Sequence, residues 1–163
     1  MKGMLIAVIS DTHRMSRYIE IAKGYIKDAD ILVHLGDNTE DINELIQDFK
    51  GITYGVRGNC DFSRKYPKEQ LLDIEEKKIF ITHGDLYGVK YGIQNIFYRA
   101  KELQSDIVLF GHTHQQLIME EEGILFMNPG SISLPRSNYR SIGFIKLEKD
   151  TEPEIYMKEI KKT

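Results

Sequence analysis

Short apolar runs of strand length recur along this chain, and they constrain its fold more than any other feature. Three of them, at 4–10, 31–35 and 52–56, precede any other strand candidate in the 163-residue sequence. The two segments between these runs instead place apolar residues at helical spacing. Strands that alternate with helices predict a sheet with a parallel portion, because parallel neighbours need a long crossover between them.

Three segments are predicted to form helices with one apolar face. We expect the second helix to begin at Thr39, whose hydroxyl can cap it, with Glu40 and Asp41 in its first turn, where they suit the helix dipole. The predicted apolar faces are Ile19, Ala22 and Ile26 in the first helix, Ile42, Leu45, Ile46 and Phe49 in the second, and Ile93, Ile96, Phe97 and Ala100 in a third at 91–103.

The second half of the chain is mainly β. Two short runs, 71–74 and 78–82, flank a polar Glu-Glu-Lys segment and predict a hairpin. Further strands are predicted at 106–110, 116–119, 125–128, 142–147 and 154–159. An alternating first half and a β-rich second half favour an α/β layered sandwich over a plain doubly wound sheet.

Composition narrows the class of protein. A hydrophobic fraction of 41% and a charged fraction of 29% predict one globular domain over residues 1–163. The formal net charge of −3 and the lack of a basic stripe give no support for nucleic-acid binding. With one cysteine, no signal peptide and no run long enough to span a membrane, we expect a cytoplasmic protein. A homo-oligomer is left open.

Polar residues that can bind a metal follow five of the predicted strands. A lone histidine at a strand end is usually an ordinary polar residue, but five such groups at five strand ends predict a common site, because open α/β sheets bind ligands at the carboxyl ends of their strands. The groups are Asp11 to His13, Gly36 and Asp37, Gly58 and Asn59, His83 and Gly84, and Gly111 to His114.

The spacing of two histidine and aspartate pairs suggests how they meet a metal. Asp11 and His13, like His112 and His114, are two residues apart. In extended chain such residues point the same way, with Cα atoms roughly 6.6 Å apart. That separation suits two ligands on one ion, or one ligand on each of two ions about 3.5–4 Å apart. We expect His34 to orient Asp37 rather than to bind metal.

The charge balance of these groups points to phosphoryl chemistry. Asp11 and Asp37 supply two negative charges, and the remaining candidate ligands are neutral. Two divalent ions therefore keep a net positive charge that attracts an anion such as a phosphate ester. Imidazole and carboxylate donors without thiolate suit Mn, Fe, Co, Ni or Zn, and these donors do not choose among the five.

Six motifs, in order, resemble those of the calcineurin-like metallophosphoesterase superfamily. They are DTH at 11–13, GDN at 36–38, GNCD at 58–61, THGD at 82–85, GHTH at 111–114 and NPGS at 128–131. The form with GNCD is similar to the small bacterial and archaeal phosphodiesterases of the YfcE type. The resemblance extends to about residue 147, and it implies a four-layer α/β/β/α sandwich and a dinuclear phosphodiesterase acting on a small phosphodiester.

The resemblance also implies a role for each ligand. A bridging Asp37 joins two metal sites, and a hydroxide between the ions attacks phosphorus. Asp37, Asn59 and His83 are the residues that we expect at the reacting centre. The first ion is implied to bind Asp11, His13, His114 and Asp37, and the second Asn59, His83, His112 and Asp37.

Cys60 departs from the pattern of many relatives, which carry a histidine at this position, held by the following aspartate, that donates a proton to the leaving oxygen. Relatives of the YfcE type share the cysteine. Cys60 is expected to be a small buried filler or a weak catalytic group, with Asp61 ready to orient a histidine placed at position 60. The missing acid favours a diesterase.

The sequence leaves two alternative functions open. A phosphomonoesterase or nucleotidase is one alternative. A binding scaffold similar to a retromer subunit is the other, although such scaffolds have degraded metal motifs and all seven ligands are present here. Candidate phosphate contacts, among which the sequence does not choose because an exposed arginine is more often simply solvated, are Asn38, Arg57, Arg64, Asn95, Arg136 and Arg140.

Overall fold

A computed structural model of the chain describes residues 3–136 and 139–161, which form two five-stranded sheets and three α-helices. The strands are β1 (Met4–Ile9), β2 (Ile31–His34), β3 (Ile52–Gly55), β4 (Glu69–Ile74), β5 (Lys77–Thr82), β6 (Ile107–Leu109), β7 (Gln116–Glu121), β8 (Ile124–Pro129), β9 (Ser141–Leu147) and β10 (Glu154–Glu159). The helices are α1 (Ser16–Ile26), α2 (Asp41–Leu45) and α3 (Gln94–Glu102). Every predicted strand is present, with bounds that differ by at most two residues.

Both sheets are mixed: the first is antiparallel on its β10 side alone, and the second is antiparallel at both edges. The first sheet has the order β10-β9-β1-β2-β3, in which β1, β2 and β3 are parallel because α1 and α2 serve as crossovers. The second has the order β4-β5-β6-β8-β7, and the predicted hairpin forms its β4 and β5 edge. The parallel strands of both sheets end in the turns that carry the candidate ligands.

Alternation along the strands builds four layers. Ile6 and Val8 of β1 pack between the two sheets, whereas Ala7 and Ile9 face α1 and α2. On the second sheet, the opposite face packs against α3. The predicted four-layer α/β/β/α sandwich is therefore confirmed, and a plain doubly wound sheet is excluded by the second sheet. No helix in the described ranges is long and apolar enough to cross a membrane.

The predicted start of the second helix is wrong. Thr39 does not cap α2, because its N–H and its hydroxyl both donate to Asp61 Oδ1, at 2.7 Å and 3.3 Å. Glu40 occupies the cap position without a side-chain cap bond, and α2 ends at Leu45, earlier than predicted. The third helix begins at Gln94 rather than at residue 91, after two 3₁₀ turns, Asp85–Tyr87 and Val89–Tyr91.

Candidate metal centre

All seven predicted ligands lie on turns at one end of the two sheets. Because parallel strands end on the same side, residues distant in sequence meet there. Asp11 and His13 follow β1, Asp37 follows β2, Asn59 follows β3, His83 follows β5, and His112 and His114 follow β6.

Six of the seven candidates form two groups that can each hold an ion. Within each group, the donor atoms lie within 4.8 Å of one another. Asp37 belongs to both groups, as the family pattern implies. The first group is Asp11, His13, Asp37 and His114, and the second is Asp37, His83 and His112.

Asn59, the seventh candidate, is exposed in the turn after β3. The next residue, Cys60, donates its backbone N–H to Asp37 Oδ1 at 3.0 Å. The Asn59 turn is thereby tied to the carboxylate that both groups share. A ligand role for Asn59 remains a prediction.

The turns that carry the ligands are left-handed, not extended. Asp11 has a φ of 55° and His13 of 48°, and His112 and His114 have φ values of 71° and 61°. The extended geometry predicted for these pairs is therefore wrong. His112 and His114 belong to different groups, whereas Asp11 and His13 share one.

Backbone carbonyls set which nitrogen each imidazole presents to the site. His83 Nδ1 lies 2.7 Å from the Leu35 carbonyl, and His114 Nδ1 lies 2.8 Å from the Leu134 carbonyl. A carbonyl can only accept, so both Nδ1 atoms carry a proton, and Nε2 is the nitrogen that each ring can give to a metal. His112 instead turns its Nδ1 toward His83 Nε2, at 3.1 Å.

Asp11 provides the test of whether a cation fits. Its Oδ2 accepts bonds from Ser10 Oγ at 2.6 Å and from the His112 N–H at 3.1 Å. Its Oδ1 is buried and accepts none from any described residue. The Nε2 atoms of His114, His13 and His83 lie 3.3, 3.9 and 3.9 Å from that oxygen. A buried carboxylate oxygen that accepts no hydrogen bond and has three imidazole nitrogens around it fits a divalent cation.

The shared carboxylate and its histidine neighbour shift each other's pKa. Burial opposes ionisation of Asp37, but the hydrogen bond and charge of His83 hold the pKa of Asp37 well below its usual range. Burial likewise lowers the pKa of His83, but Asp37 and Asp11 outweigh it and raise that pKa to about 9. The pair is thus an ionised Asp37 carboxylate beside a basic His83 imidazole. A metal ion that binds there would displace the proton from His83.

Asp61 holds two of the ligand turns together. Its Oδ2 accepts the N–H groups of Asp37 and Gly58, each at 2.8 Å, and its Oδ1 accepts the N–H of Thr39 at 2.7 Å. With the Thr39 hydroxyl also on Oδ1, four donors occupy the carboxylate. Asp61 is therefore not available to orient a histidine at position 60, contrary to the prediction.

Two glycines are required by close approach at the site. A Cβ atom on Gly58 would lie 2.3 Å from Asp37 Oδ1, and one on Gly111 would lie 2.0 Å from Ser10 Oγ. Both contacts are far shorter than van der Waals distance. Any side chain at either position would displace a candidate ligand or its supporting hydroxyl.

His34 supports the site through the backbone rather than through Asp37. Its Nδ1 accepts the N–H of Gly36 at 3.1 Å, so its Nε2 carries the proton and donates to Thr12 Oγ1 at 3.1 Å. Thr12 in turn donates to Asp41 Oδ2 at 2.5 Å. Burial lowers the pKa of His34, in keeping with a neutral ring. This buried chain links the turns after β1 and β2 to α2.

The sequence prediction missed the supporting roles of Asn128, Ser131 and Ser133. Asn128 Nδ2 donates to the Gly111 carbonyl at 3.0 Å and thus fixes the GHTH turn. The hydroxyls of Ser131 and Ser133 donate to the carbonyls of Asp11 at 2.7 Å and Thr12 at 2.6 Å. The NPGS motif was the available signal, since it contains Asn128 and Ser131.

Cys60 is exposed, so the prediction of a buried filler is wrong. Partial loss of solvent around the thiol and the negative charge of Asp37 raise the pKa of Cys60. The sulfur therefore stays protonated and is a poor nucleophile. Its N–H bond to Asp37 is the contact that joins it to the ligand groups.

Of the six candidate phosphate contacts, three lie beside candidate metal ligands and three bond to or stack on other residues. Arg57 and Arg64 line a depression that also contains Asn59, and Arg136 donates its N–H to the His114 carbonyl. The other three have different partners. Asn38 donates to Glu40, Asn95 donates to the Tyr87 carbonyl, and Arg140 stacks on Tyr18.

Comparison with known proteins agrees with this geometry. A probable metallophosphoesterase of Bacillus subtilis, YsnB, is 36% identical over 149 residues, which cover 90% of this chain and 86% of the relative. A phosphodiesterase of Methanocaldococcus jannaschii is 29% identical over 174 aligned positions, which cover 94% of this chain and 99% of that protein.

Solved structures and a family model complete the comparison. A Vps29 single mutant from Entamoeba histolytica superposes with a TM-score of 0.81 at 22% identity, covering 94% of this chain and 91% of that one, and supports the fold alone. A model described as the calcineurin-like phosphoesterase superfamily domain matches residues 4–150. With that match and the Bacillus subtilis relative, the chain belongs to the calcineurin-like phosphoesterase superfamily.

Proposed function

We propose that the protein is a phosphodiesterase that works with two divalent metal ions. The observation that carries the proposal is the Oδ1 oxygen of Asp11, which is buried without a hydrogen-bond partner among the described residues. Leaving a carboxylate oxygen in that condition costs several kcal/mol unless a cation lies beside it. Asp37 belongs to both ligand groups, which favours two ions over one.

In this proposal the two ions share one carboxylate. When bound, divalent ions activate a water molecule and neutralise charge on the phosphoryl oxygens. Manganese is the ion we expect, with Ni, Fe, Co or Zn as alternatives that the same donors accept. Asp11, His13, Asp37 and His114 would hold the first ion, and Asp37, Asn59, His83 and His112 would hold the second.

The residues of the chain position the ester and determine which group can give a proton to the leaving oxygen. Hydrolysis joins a water oxygen to phosphorus, breaks the bond from phosphorus to the leaving oxygen, and delivers a proton to that oxygen. Asp37, Asn59 and His83 lie at the reacting centre in this proposal. The leaving oxygen receives little help from Cys60, because the raised pKa of its thiol makes it a weak acid.

The weakness of that acid favours an ester with a good leaving group. An alkyl ester releases a strongly basic alkoxide, which needs a strong proton donor, whereas an aryl ester releases a more stable phenolate. The choice of a diester over a monoester is supported by the phosphodiesterase name of the Methanocaldococcus jannaschii relative.

The metal assignment is tested by Asp37→Ala. We expect the wild type to bind two ions in a calorimetric titration with Mn²⁺, and the variant to lose at least one of them together with activity. Asp73→Ala, an exposed carboxylate on β4, is the matched control and should keep both. An active Asp37→Ala variant with two tightly bound ions would contradict the assignment.

The reaction class is tested by a panel of esters with the Mn²⁺-loaded protein. We expect kcat/KM for bis(p-nitrophenyl) phosphate to exceed that for p-nitrophenyl phosphate at least tenfold. Cyclic nucleotides and nucleoside monophosphates extend the panel. The reverse ranking would identify a phosphomonoesterase or nucleotidase instead.

A binding scaffold is the second candidate, because the Vps29 structure shows that a protein of another name has the same fold. Metal content and turnover separate the two candidates. A scaffold would hold folded structure without bound ions and would hydrolyse none of the esters, whereas the proposed enzyme needs both ions and turns over diesters.

We further infer a single domain over residues 1–163, because one apolar core lies between the two sheets. We also propose that the protein works in the cytoplasm, where a lone exposed cysteine stays reduced. Its partner is a small phosphodiester, and sedimentation equilibrium would distinguish a monomer from a homo-oligomer.

A further inference from the structure

A depression of about 400 Å³ opens beside Asn59, at the edge of the candidate metal centre. It lies between the loop that follows β3 and the turn that follows His83, so it draws on both sheets. We call it the ester pocket. The residues that matter for its chemistry are Arg57, Phe62, Arg64, Lys68 and Leu86.

The ester pocket carries positive charge that is free to bind an anion. Neither Arg64 nor Lys68 forms a side-chain ion pair with any residue in the described ranges, and Arg57 has one long bond, 3.4 Å, to the Tyr66 carbonyl. Two carboxylates also line the pocket. Asp61 already accepts four protein donors, which leaves Asp85 as the carboxylate that opposes three cations.

A second depression is lined mainly by negatively charged side chains, in contrast to the ester pocket. It measures about 460 Å³, contains Met4 and Leu5 from the start of β1, and so opens away from the ligand turns. Its lining includes five carboxylates and one lysine, Lys146. A phosphate group would be repelled there. Of these two depressions, the one with a surplus of cationic side chains is therefore the one that adjoins the metal centre.

The ester pocket also offers flat apolar surface to a ligand. Phe62 is 94% exposed and Leu86 is 55% exposed, and both line the pocket. An aromatic ring left in water beside cationic side chains is the arrangement that stacks on a nucleobase, a contact worth about 1–3 kcal/mol per base. An anionic group without a ring would leave the exposed surface of Phe62 unused.

We propose that the ester pocket binds a nucleoside that carries a phosphate of its own. This nucleoside is one of the two groups that are esterified to the phosphorus where cleavage occurs. The base stacks on Phe62 and Leu86, and the additional phosphate pairs with Arg57, Arg64 and Lys68. This inference rests on the proposed phosphodiesterase function. It narrows the substrate class to nucleotide diesters that carry a further phosphate beyond the one that is cleaved.

The first test measures binding to the metal-free full chain, so that catalysis plays no part. Thymidine 3′-phosphate, thymidine and inorganic phosphate are titrated separately, and binding is followed by calorimetry. We expect thymidine 3′-phosphate to bind at least tenfold more tightly than either fragment. Phe62→Ala should weaken it about tenfold. Tyr91→Ala, which removes a ring that is 96% exposed but outside the ester pocket, is the matched control.

The second test measures hydrolysis by the Mn²⁺-loaded protein. Thymidine 5′-(p-nitrophenyl phosphate) is compared with the same ester bearing a 3′-phosphate, so the leaving group is identical in both. We expect kcat/KM to be at least tenfold higher with the 3′-phosphate. Arg64→Ala should reduce that ratio by about tenfold, whereas Arg17→Ala, an exposed arginine on α1, should leave the ratio unchanged.

The outcomes separate this inference from the proposed function. Suppose that diesters are hydrolysed without a preference for a 3′-phosphate, and that thymidine 3′-phosphate, thymidine and inorganic phosphate bind equally. The nucleotide-binding role of the ester pocket would then be wrong, and the phosphodiesterase proposal would stand. Absence of hydrolysis with intact thymidine 3′-phosphate binding would overturn the phosphodiesterase alone. If Phe62→Ala converts a dimer to a monomer in sedimentation and leaves nucleotide binding unchanged, Phe62 is a contact between copies and the inference is wrong.

Discussion

Asp61 shows how one side chain can govern a metal centre that it need not touch. Its two oxygens accept backbone N–H groups from the turn after β2 and from the turn after β3. Backbone groups have a fixed geometry, so these bonds set the distance between the two turns. The position of Asp37, and with it the spacing of the two ligand groups, depends on them.

We therefore expect Asp61→Asn to destabilise the metal-free protein by about 2 kcal/mol, because its amide NH₂ would face N–H donors. Urea unfolding measures the loss. Asp106→Asn is the matched control, since Asp106 accepts one backbone N–H, from Lys78 at 2.8 Å, which the amide oxygen can still accept. Equal free energies of unfolding for the two variants would contradict the role given to Asp61.

Cys60 gives a second prediction at the residue scale. Cys60→Ala should keep kcat/KM for aryl diesters within about threefold, because the thiol is a weak acid and its N–H bond to Asp37 is retained. Cys60→His should bring no gain on alkyl esters relative to aryl esters, since Asp61 already accepts four donors. A tenfold rise in the alkyl-to-aryl ratio for Cys60→His would show that Asp61 can release a donor to hold the new ring.

At the scale of elements, a polar cluster fastens β4 to α3 and to the first 3₁₀ turn. The Tyr87 hydroxyl donates to Glu69, and Arg99 also pairs with Glu69, at 3.1 Å. Partial burial, reinforced by the Glu69 carboxylate, raises the pKa of Tyr87 to about 12. The cluster supports the turn that contributes Leu86 to the ester pocket.

This shift predicts how stability depends on pH. Below pH 10, Tyr87 is protonated in both the folded and the unfolded chain. Between about pH 10 and 12 the unfolded chain loses the proton first, so the free energy of unfolding falls as pH rises, by about 1 kcal/mol after allowance for solvent screening. Urea titrations of wild type and Tyr87→Phe across this range measure the difference.

Tyr98→Phe is the control for that measurement, because Tyr98 is 60% exposed on α3. The wild-type slope should survive in Tyr98→Phe and decrease in Tyr87→Phe. If both variants follow the wild type, Tyr87 does not carry the pH dependence.

The elements were largely predictable from sequence, and the exceptions have physical causes. Strands and helical faces follow hydrophobic periodicity, which is local information. The start of α2 was missed because Thr39 bonds to Asp61, a tertiary contact that outweighs its preference for a helix cap.

The site was predictable in membership but not in conformation. Motif order identified the residues that converge, including Asp37 in both groups. The left-handed backbone at His112 and His114 was missed because the spacing of the two residues was interpreted as extended chain. The exposure of Cys60 was likewise invisible, because the sequence does not tell which side of a tight turn faces solvent.

At the scale of the whole molecule, the candidate ligands come from both sheets. Asp11, His13 and Asp37 follow strands of the first sheet, and His83 and His114 follow strands of the second. Bound ions would therefore fasten the sheets together at one end. At a free concentration about a thousand times the dissociation constant, each ion would add about 4 kcal/mol to the free energy of unfolding.

We expect Mn²⁺ to raise the melting temperature of the wild type by about 10 °C or more. In stepwise metal titrations, Asn59→Ala should weaken the second site alone and His114→Ala the first site alone. The matched control is Asp73→Ala, whose exposed carboxylate lies outside the ligand groups. If each variant weakened the opposite site, the assignment of residues to sites would be reversed.

The left-handed turns have a consequence for how this protein can change over generations. Asp37 and His114 occupy φ values of 63° and 61°, a conformation that costs these residues more than it costs glycine or asparagine. A mutation from ligand to glycine at either position relieves that strain while it removes the ion. In a cell that no longer needed the activity, such replacements would no longer be selected against, and selection for stability would favour them. The metal centre would then be lost long before the fold.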